Sequence, residues 1–112
     1  MKKNIQKIND WDAAGIKALP FNLIKVLALF IKRNKLFLDS TEIKDALKFK
    51  DKQVGGIMAS FQKTAKGRSP LVFPIFRVGR GFRWVINEKE LPIVKKVISE
   101  FKKYLNNGGM DT

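Results

Sequence analysis

The sequence predicts an α+β domain that is mainly helical, carries a β-hairpin in its second half and ends in an added helix. Three features predict it. Apolar residues recur at helical spacing over 23–33, 51–65 and 91–106. Two runs rich in β-branched and aromatic residues, 71–78 and 82–87, flank Gly79-Arg80-Gly81. A length of 112 residues with 45% hydrophobic content suits one domain with a modest core.

Residues 1–20 read as a lysine-rich basic arm or short helix, its first residues mobile. Asp10 caps a helix over 11–18, which Pro20 ends by disfavouring helical geometry at Leu19. Asn22 is the expected N-cap of the core helix 23–33, with Phe21 and Val26 as a hydrophobic staple around it. Leu23, Ile24, Leu27, Phe30 and Ile31 form its apolar face, and Arg33-Asn34 close it. An extended segment over 36–38 leads into Asp39-Ser40-Thr41-Glu42, a capping box opening a short helix marked by Ile43, Ala46 and Leu47. Lys48-Phe49-Lys50 is the next turn, with Phe49 as its buried plug.

Helix 51–65 has a divided surface. Val54, Ile57, Met58, Phe61 and Ala65 share one face, and Lys52, Gln53, Gly56, Ala59, Ser60 and Lys63 the other. Gly55-Gly56 costs roughly 1 kcal/mol per residue against alanine. Gly55 fits either close packing on another helix or approach of an external body; Gly56 fits the second. Centring the hairpin on Arg80 pairs Phe76 with Trp84 towards the core and sets Arg77 opposite Arg83 outside, a repulsive arrangement in isolation. Pro74 marks its strand as an edge. Asn87 to Glu90 is a second capping box, and Val94, Val97, Ile98, Phe101 and Leu105 make a stripe on helix 88–106. The stripe closes the core or, as the alternative, forms a homodimer. Residues 107–112 read as a flexible tail.

Charge narrows the partners. The formal net charge is +13 and the pI about 10.2. Between Asp51 and Glu88 seven cations occur without one acid: Lys52, Lys63, Lys66, Arg68, Arg77, Arg80 and Arg83. A solvated surface intersperses both signs, so the block calls for a polyanion, and nucleic acid is the expected partner. The chain has no Cys and no His. Disulfides, thiol chemistry, zinc fingers and the commonest general base are thereby excluded, and neither catalysis nor a cofactor is expected. The longest apolar run, 26–31, is far short of the roughly 20 residues needed to span a bilayer. With no apolar run after Lys2-Lys3 to read as a secretory signal, a soluble cytoplasmic or nucleoid-associated protein without membrane contact is expected.

Helix, short strand, helix, turn, helix and hairpin follow one another over 21–87. This segment resembles a winged helix-turn-helix domain. The resemblance rests on Leu36-Phe37-Leu38-Asp39-Ser40-Thr41-Glu42-Ile43-Lys44-Asp45-Ala46-Leu47, on Lys52-Gln53-Val54-Gly55-Gly56-Ile57, and on Phe76-Arg77-Val78-Gly79-Arg80-Gly81-Phe82-Arg83-Trp84 as the wing. Lys50-Asp51 departs from the Ser or Thr cap usual before the third helix. The resemblance implies double-stranded DNA as partner. It assigns the major groove to Lys52, Gln53, Gly56, Ser60 and Lys63, and backbone or minor-groove contacts to Arg77, Arg80 and Arg83. Lys48, Lys50 and Lys63 add phosphate contacts. A transcriptional regulator is the leading expectation. The alternatives are a weakly specific DNA-coating protein and a winged-helix protein-assembly module. RNA binding is disfavoured, because the aromatics are expected to pair into the core and leave no stacking platform.

Overall fold

The computed structural model describes residues 11–104. The expected cap Asp10, the arm expected before it, Leu105 and the expected 107–112 tail lie outside that range. Among the described residues there are five α-helices and one three-stranded antiparallel sheet. In order they are α1 (Ala13–Lys17), α2 (Phe21–Arg33), β1 (Phe37–Asp39), α3 (Ser40–Leu47), α4 (Asp51–Lys63), β2 (Val72–Val78), β3 (Gly81–Ile86) and α5 (Leu91–Tyr104). A 3₁₀ turn, Glu88–Glu90, precedes α5, and the Asn87 side chain accepts from Lys89 N within it.

Two expected caps are placed differently. Asp12 caps α1, its carboxylate accepting from Gly15 N at 2.8 Å. α2 starts at Phe21 with Pro20 in the cap position, so Asn22 lies inside the first turn. Proline suits that position, since the first N–H groups of a helix lack partners anyway. At the other end Asn34 is left-handed (φ 54°) and closes the helix as expected.

The core gathers one face of every helix beneath the inner face of the sheet. Leu23, Val26, Leu27 and Phe30 of α2 meet Ile43 of α3, Met58 and Phe61 of α4, Leu38 of β1, Trp84 and Ile86 of β3, and Val72 of β2. α5 packs on α1 and α2 with Val94, Val97 and Ile98 buried. The stripe offered as a dimer surface is therefore used inside the chain. Phe49 is only half-buried, resting on the core instead of plugging it. Trp11 docks the first segment: its indole donates to Ser69 O at 2.8 Å, its backbone N donates to the buried Glu90 carboxylate, and the Arg68 guanidinium stacks on its ring at 4.1 Å.

The strand order is β1-β3-β2. The hairpin register is one residue from expectation. Val78 pairs with Gly81, Arg77 with Phe82 and Phe76 with Arg83. The connection is the two-residue Gly79-Arg80, and Gly79 takes φ +59°. A left-handed first central residue matches the twist of hairpin strands and suits glycine. A bulge at Ile75 shifts the register by one further residue beyond it, where Pro74 pairs with Trp84. A one-residue slip moves a side chain to the opposite face. Phe76 thus leaves the core and is 52% exposed, while Trp84 stays inside against the edge of Phe82.

Candidate nucleic-acid interface

α4 is held by its inner face. Val54, Met58 and Phe61 are buried, Ile57 packs against them, and Ala65 continues the stripe just past the helix end. Its start lacks a Ser or Thr cap: Gln53 N donates to Lys50 O at 2.9 Å instead, and Gln53 Oε1 accepts from Lys50 N at 2.8 Å. Lys44 reaches across the turn to Asp51 at 3.0 Å, tying α3 to the first residue of α4. That carboxylate raises the Lys44 pKa above its ordinary value. α4 also packs beside β2, which puts the helix and the hairpin in one body.

The outer face of α4 is stripped of bulk. Lys52, Gln53, Gly55, Gly56, Ala59 and Lys63 are exposed, and Ser60 is half-buried. A Cβ built on Gly55 or Gly56 meets nothing within 4 Å. Neighbouring-helix packing, one of the two readings for Gly55, is excluded within the described chain. Two of the hydrogen-bonding side chains on this face are turned inward to their own helix. Gln53 holds the Lys50 amide, and Ser60 Oγ donates to Gly56 O at 2.9 Å. Lys52 and Lys63 have no ion-pair partner among the described residues.

The hairpin is pinned at one hydroxyl. Ser40 Oγ accepts from Phe82 N at 3.0 Å and from Trp84 Nε1 at 2.9 Å, across 42 and 44 residues of sequence. β3 runs so close to α3 here that a Cβ on Gly81 would collide with the Ser40 side chain. Glycine at 81 is required by space, whereas at 79 it is required by the backbone angle.

Of the three wing arginines, two project freely. Arg77 and Arg80 are exposed and make no ion pair among the described residues, with Arg77 over the Phe82 ring at 5.5 Å. Arg83 differs. Its Nε and Nη2 donate to Asp39 Oδ1 and Oδ2 at 2.7 and 3.1 Å, a bidentate pair joining β3 to β1. The register sets Arg77 opposite Phe82, so Arg77 and Arg83 are not directly opposed, and the Asp39 pair takes Arg83 out of the set of free cations. Asp39, expected to cap α3, makes no side-chain cap bond because its carboxylate is turned to Arg83. The Arg83 hydrogen bonds hold the Asp39 pKa below the usual carboxylate range, and Asp39 raises that of Arg83. Residue spacing could not have paired them, since β1 and β3 are neighbours only in the folded sheet.

Among the described residues, no ion pair involves Lys48, Lys50, Lys52, Lys63, Lys66, Arg77 or Arg80. Lys48 and Lys50 are both exposed in the turn that enters α4, and Lys48 takes φ +59° there. No group of three or more His, Cys, Asp or Glu able to hold a metal occurs among the described residues. No helix among them is long and apolar enough to cross a membrane. No family model matches the chain, and no curated protein or solved structure matches it.

Proposed function

We propose that the chain binds duplex DNA as a winged helix-turn-helix protein, with α4 entering the major groove and the β2–β3 hairpin serving as the wing. One observation carries this reading: the cations of α4, its entry turn and the hairpin tip are exposed and have no ion-pair partner among the described residues, whereas the described acids with ion-pair partners meet other cations. Strand order β1-β3-β2 and the Ser40 anchor, which orients the hairpin against α3, support the winged-helix assignment. Lys48, Lys50, Lys63, Arg77 and Arg80 would contact phosphates, and Gly56 would let the helix backbone approach base edges.

Base readout is weak on this reading. Gln53 Oε1 is taken by the Lys50 amide and the Ser60 hydroxyl hydrogen by Gly56 O, so the bidentate adenine contact of Gln53 is lost and the set is left with Lys52, Lys63 and the Gln53 Nε2 amide as donors. That favours a weakly specific DNA-coating protein over a sequence-specific transcriptional regulator, which is the second reading. Selection from a random duplex pool separates them: weak or no enrichment fits coating, and a sharp motif fits a regulator. In the same preparation, about five phosphate contacts predict a log–log salt dependence of affinity with slope about −4.5. A slope shallower than about −2, or no binding at low salt, removes the duplex reading.

A further inference from the structure

The outer face of the sheet carries a second constellation, independent of α4. Five large apolar side chains are markedly exposed in the described chain, and four of them, Leu36, Phe37, Ile75 and Phe76, lie on β1, β2 or their flanks. The register explains why. Phe37 pairs with Val85, while Asp39 and Phe76 both pair with Arg83, so these side chains share the face opposite Leu38 and Trp84. The Arg83 guanidinium lies 4.5 Å from the Phe37 ring centre and 5.4 Å from that of Phe76. A row of ring, guanidinium and ring therefore crosses all three strands, held in place by the Arg83–Asp39 pair.

This overturns the expectation that the aromatics pair into the core. Phe37 is 41% exposed and Phe76 52%. Stacking on aromatic and guanidinium planes is how proteins hold unpaired bases. Strand spacing sets the two rings on the order of 10 Å apart, a span suited to successive splayed bases. The surrounding charge favours a polyanion. Glu42 is shared by Arg33 and Lys35, Asp39 is matched by Arg83, and Lys35 lies over the Phe37 ring at 5.5 Å, leaving an excess cation beside the row. The exposed Arg80 stands at the turn of the same hairpin. A second copy would bring another +13 charge to this face and is disfavoured.

We infer that the outer sheet face, centred on Phe37, Arg83 and Phe76, binds single-stranded nucleic acid by base stacking. Arg83 is a positioning residue here, since its charge is matched by Asp39 and its plane sets the rings. The base has no sequence requirement, because every base offers a π-face.

The test is fluorescence anisotropy with labelled DNA and RNA single strands of about 15 nucleotides, long enough for one site, beside a labelled duplex. Phe37→Ala and Phe76→Ala, each checked for retained fold by circular dichroism, should weaken single-strand binding about tenfold each and change duplex binding less than about twofold. Phe76→Tyr should restore binding and Phe76→Leu should not. Gly56→Leu should weaken duplex binding alone. A preference between the DNA and RNA strands identifies the sugar. The inference is overturned by absent single-strand binding, by full rescue with leucine, by equal losses on single strands and duplex, or by a dimer in sedimentation that Phe76→Ala dissolves. If the unsubstituted protein binds duplex but no single strand, this inference is refuted and the duplex proposal stands; if it binds single strands but no duplex, the reverse holds.

Discussion

The α2–α3 side of the molecule and the α4–hairpin side are both basic, but they treat charge in opposite ways. On the first, Glu42 answers Arg33 and Lys35, and Lys44 is met by Asp45 and Asp51. On the second, Arg83 is matched by Asp39, but Lys52, Lys63, Arg77 and Arg80 have no carboxylate partner among the described residues. Exposed ion pairs contribute little stability, typically below about 1 kcal/mol. Their uneven distribution therefore says little about folding and much about where an anion is accommodated. A matched cation must give up a partner to meet phosphate, and an unmatched one gains outright.

The most severe way to break the contrast is charge reversal. Combining Lys52→Glu, Lys63→Glu and Arg80→Glu should lower duplex affinity at least about a hundredfold, roughly 2.7 kcal/mol. Arg33→Glu, Lys35→Glu and Lys44→Glu combined, the same charge change at cations that already have carboxylate partners, should lower it less than about tenfold, read by titration at fixed low salt. Equal losses would mean that net charge, not its placement, determines binding.

Next in size is Ser40→Ala. It strips the acceptor from Phe82 N and Trp84 Nε1 together and should cost about 2 kcal/mol in urea unfolding. A neutral result would mean the hairpin is not held through this hydroxyl.

A pair of identical substitutions should then differ in sign. Gly81→Ala forces Ser40 aside and should destabilise by about 1–2 kcal/mol, while Gly56→Ala meets open space and should stabilise by up to about 1 kcal/mol. Thermal midpoints of the two variants against the parent decide it.

The smallest effect is a pH dependence. The Asp39 pKa is lowered on folding, so its contribution is fully present above the unfolded carboxylate value near 4. It is lost as pH falls through the lower folded value. Unfolding at pH 2–6 should show Asp39→Asn flattening the acid side of the stability curve by no more than about 1 kcal/mol.

Much of this architecture was legible in the chain, and the failures share one cause. The stripes Leu23-Leu27-Phe30 and Val54-Met58-Phe61 point to their helices because a period of 3.6 is a local signal. Asn34 and Pro74 announce a helix end and an edge strand by their own backbone chemistry. The hairpin register was not local in this sense. Gly79-Arg80-Gly81 permits a centre on Arg80 or a two-residue turn, and the choice depends on Gly79 adopting positive φ, with a bulge four residues back shifting the ladder once more. That single-residue difference released Phe76 to the outer face and separated Arg77 from Arg83. The Asp39–Arg83 pair was hidden likewise, since only the β1–β3 contact brings the two together. Of the expected interface residues, the exposed lysines and Gly56 needed nothing beyond helix phase. Gln53, Ser60 and Arg83 needed knowledge of hydrogen bonds that composition does not carry.

Pro74 and the bulge at Ile75 have a bearing on solution behaviour. A sheet with half-exposed phenylalanines and an open edge is a template for strand-by-strand polymerisation. β2 lacks an amide hydrogen at Pro74 and kinks at the next residue, while β1, the other edge, is only three residues long. Neither edge offers an incoming strand an unbroken row of partners. The molecule can thus display aromatic rings to solvent at high protein concentration while denying fibrils a growing end.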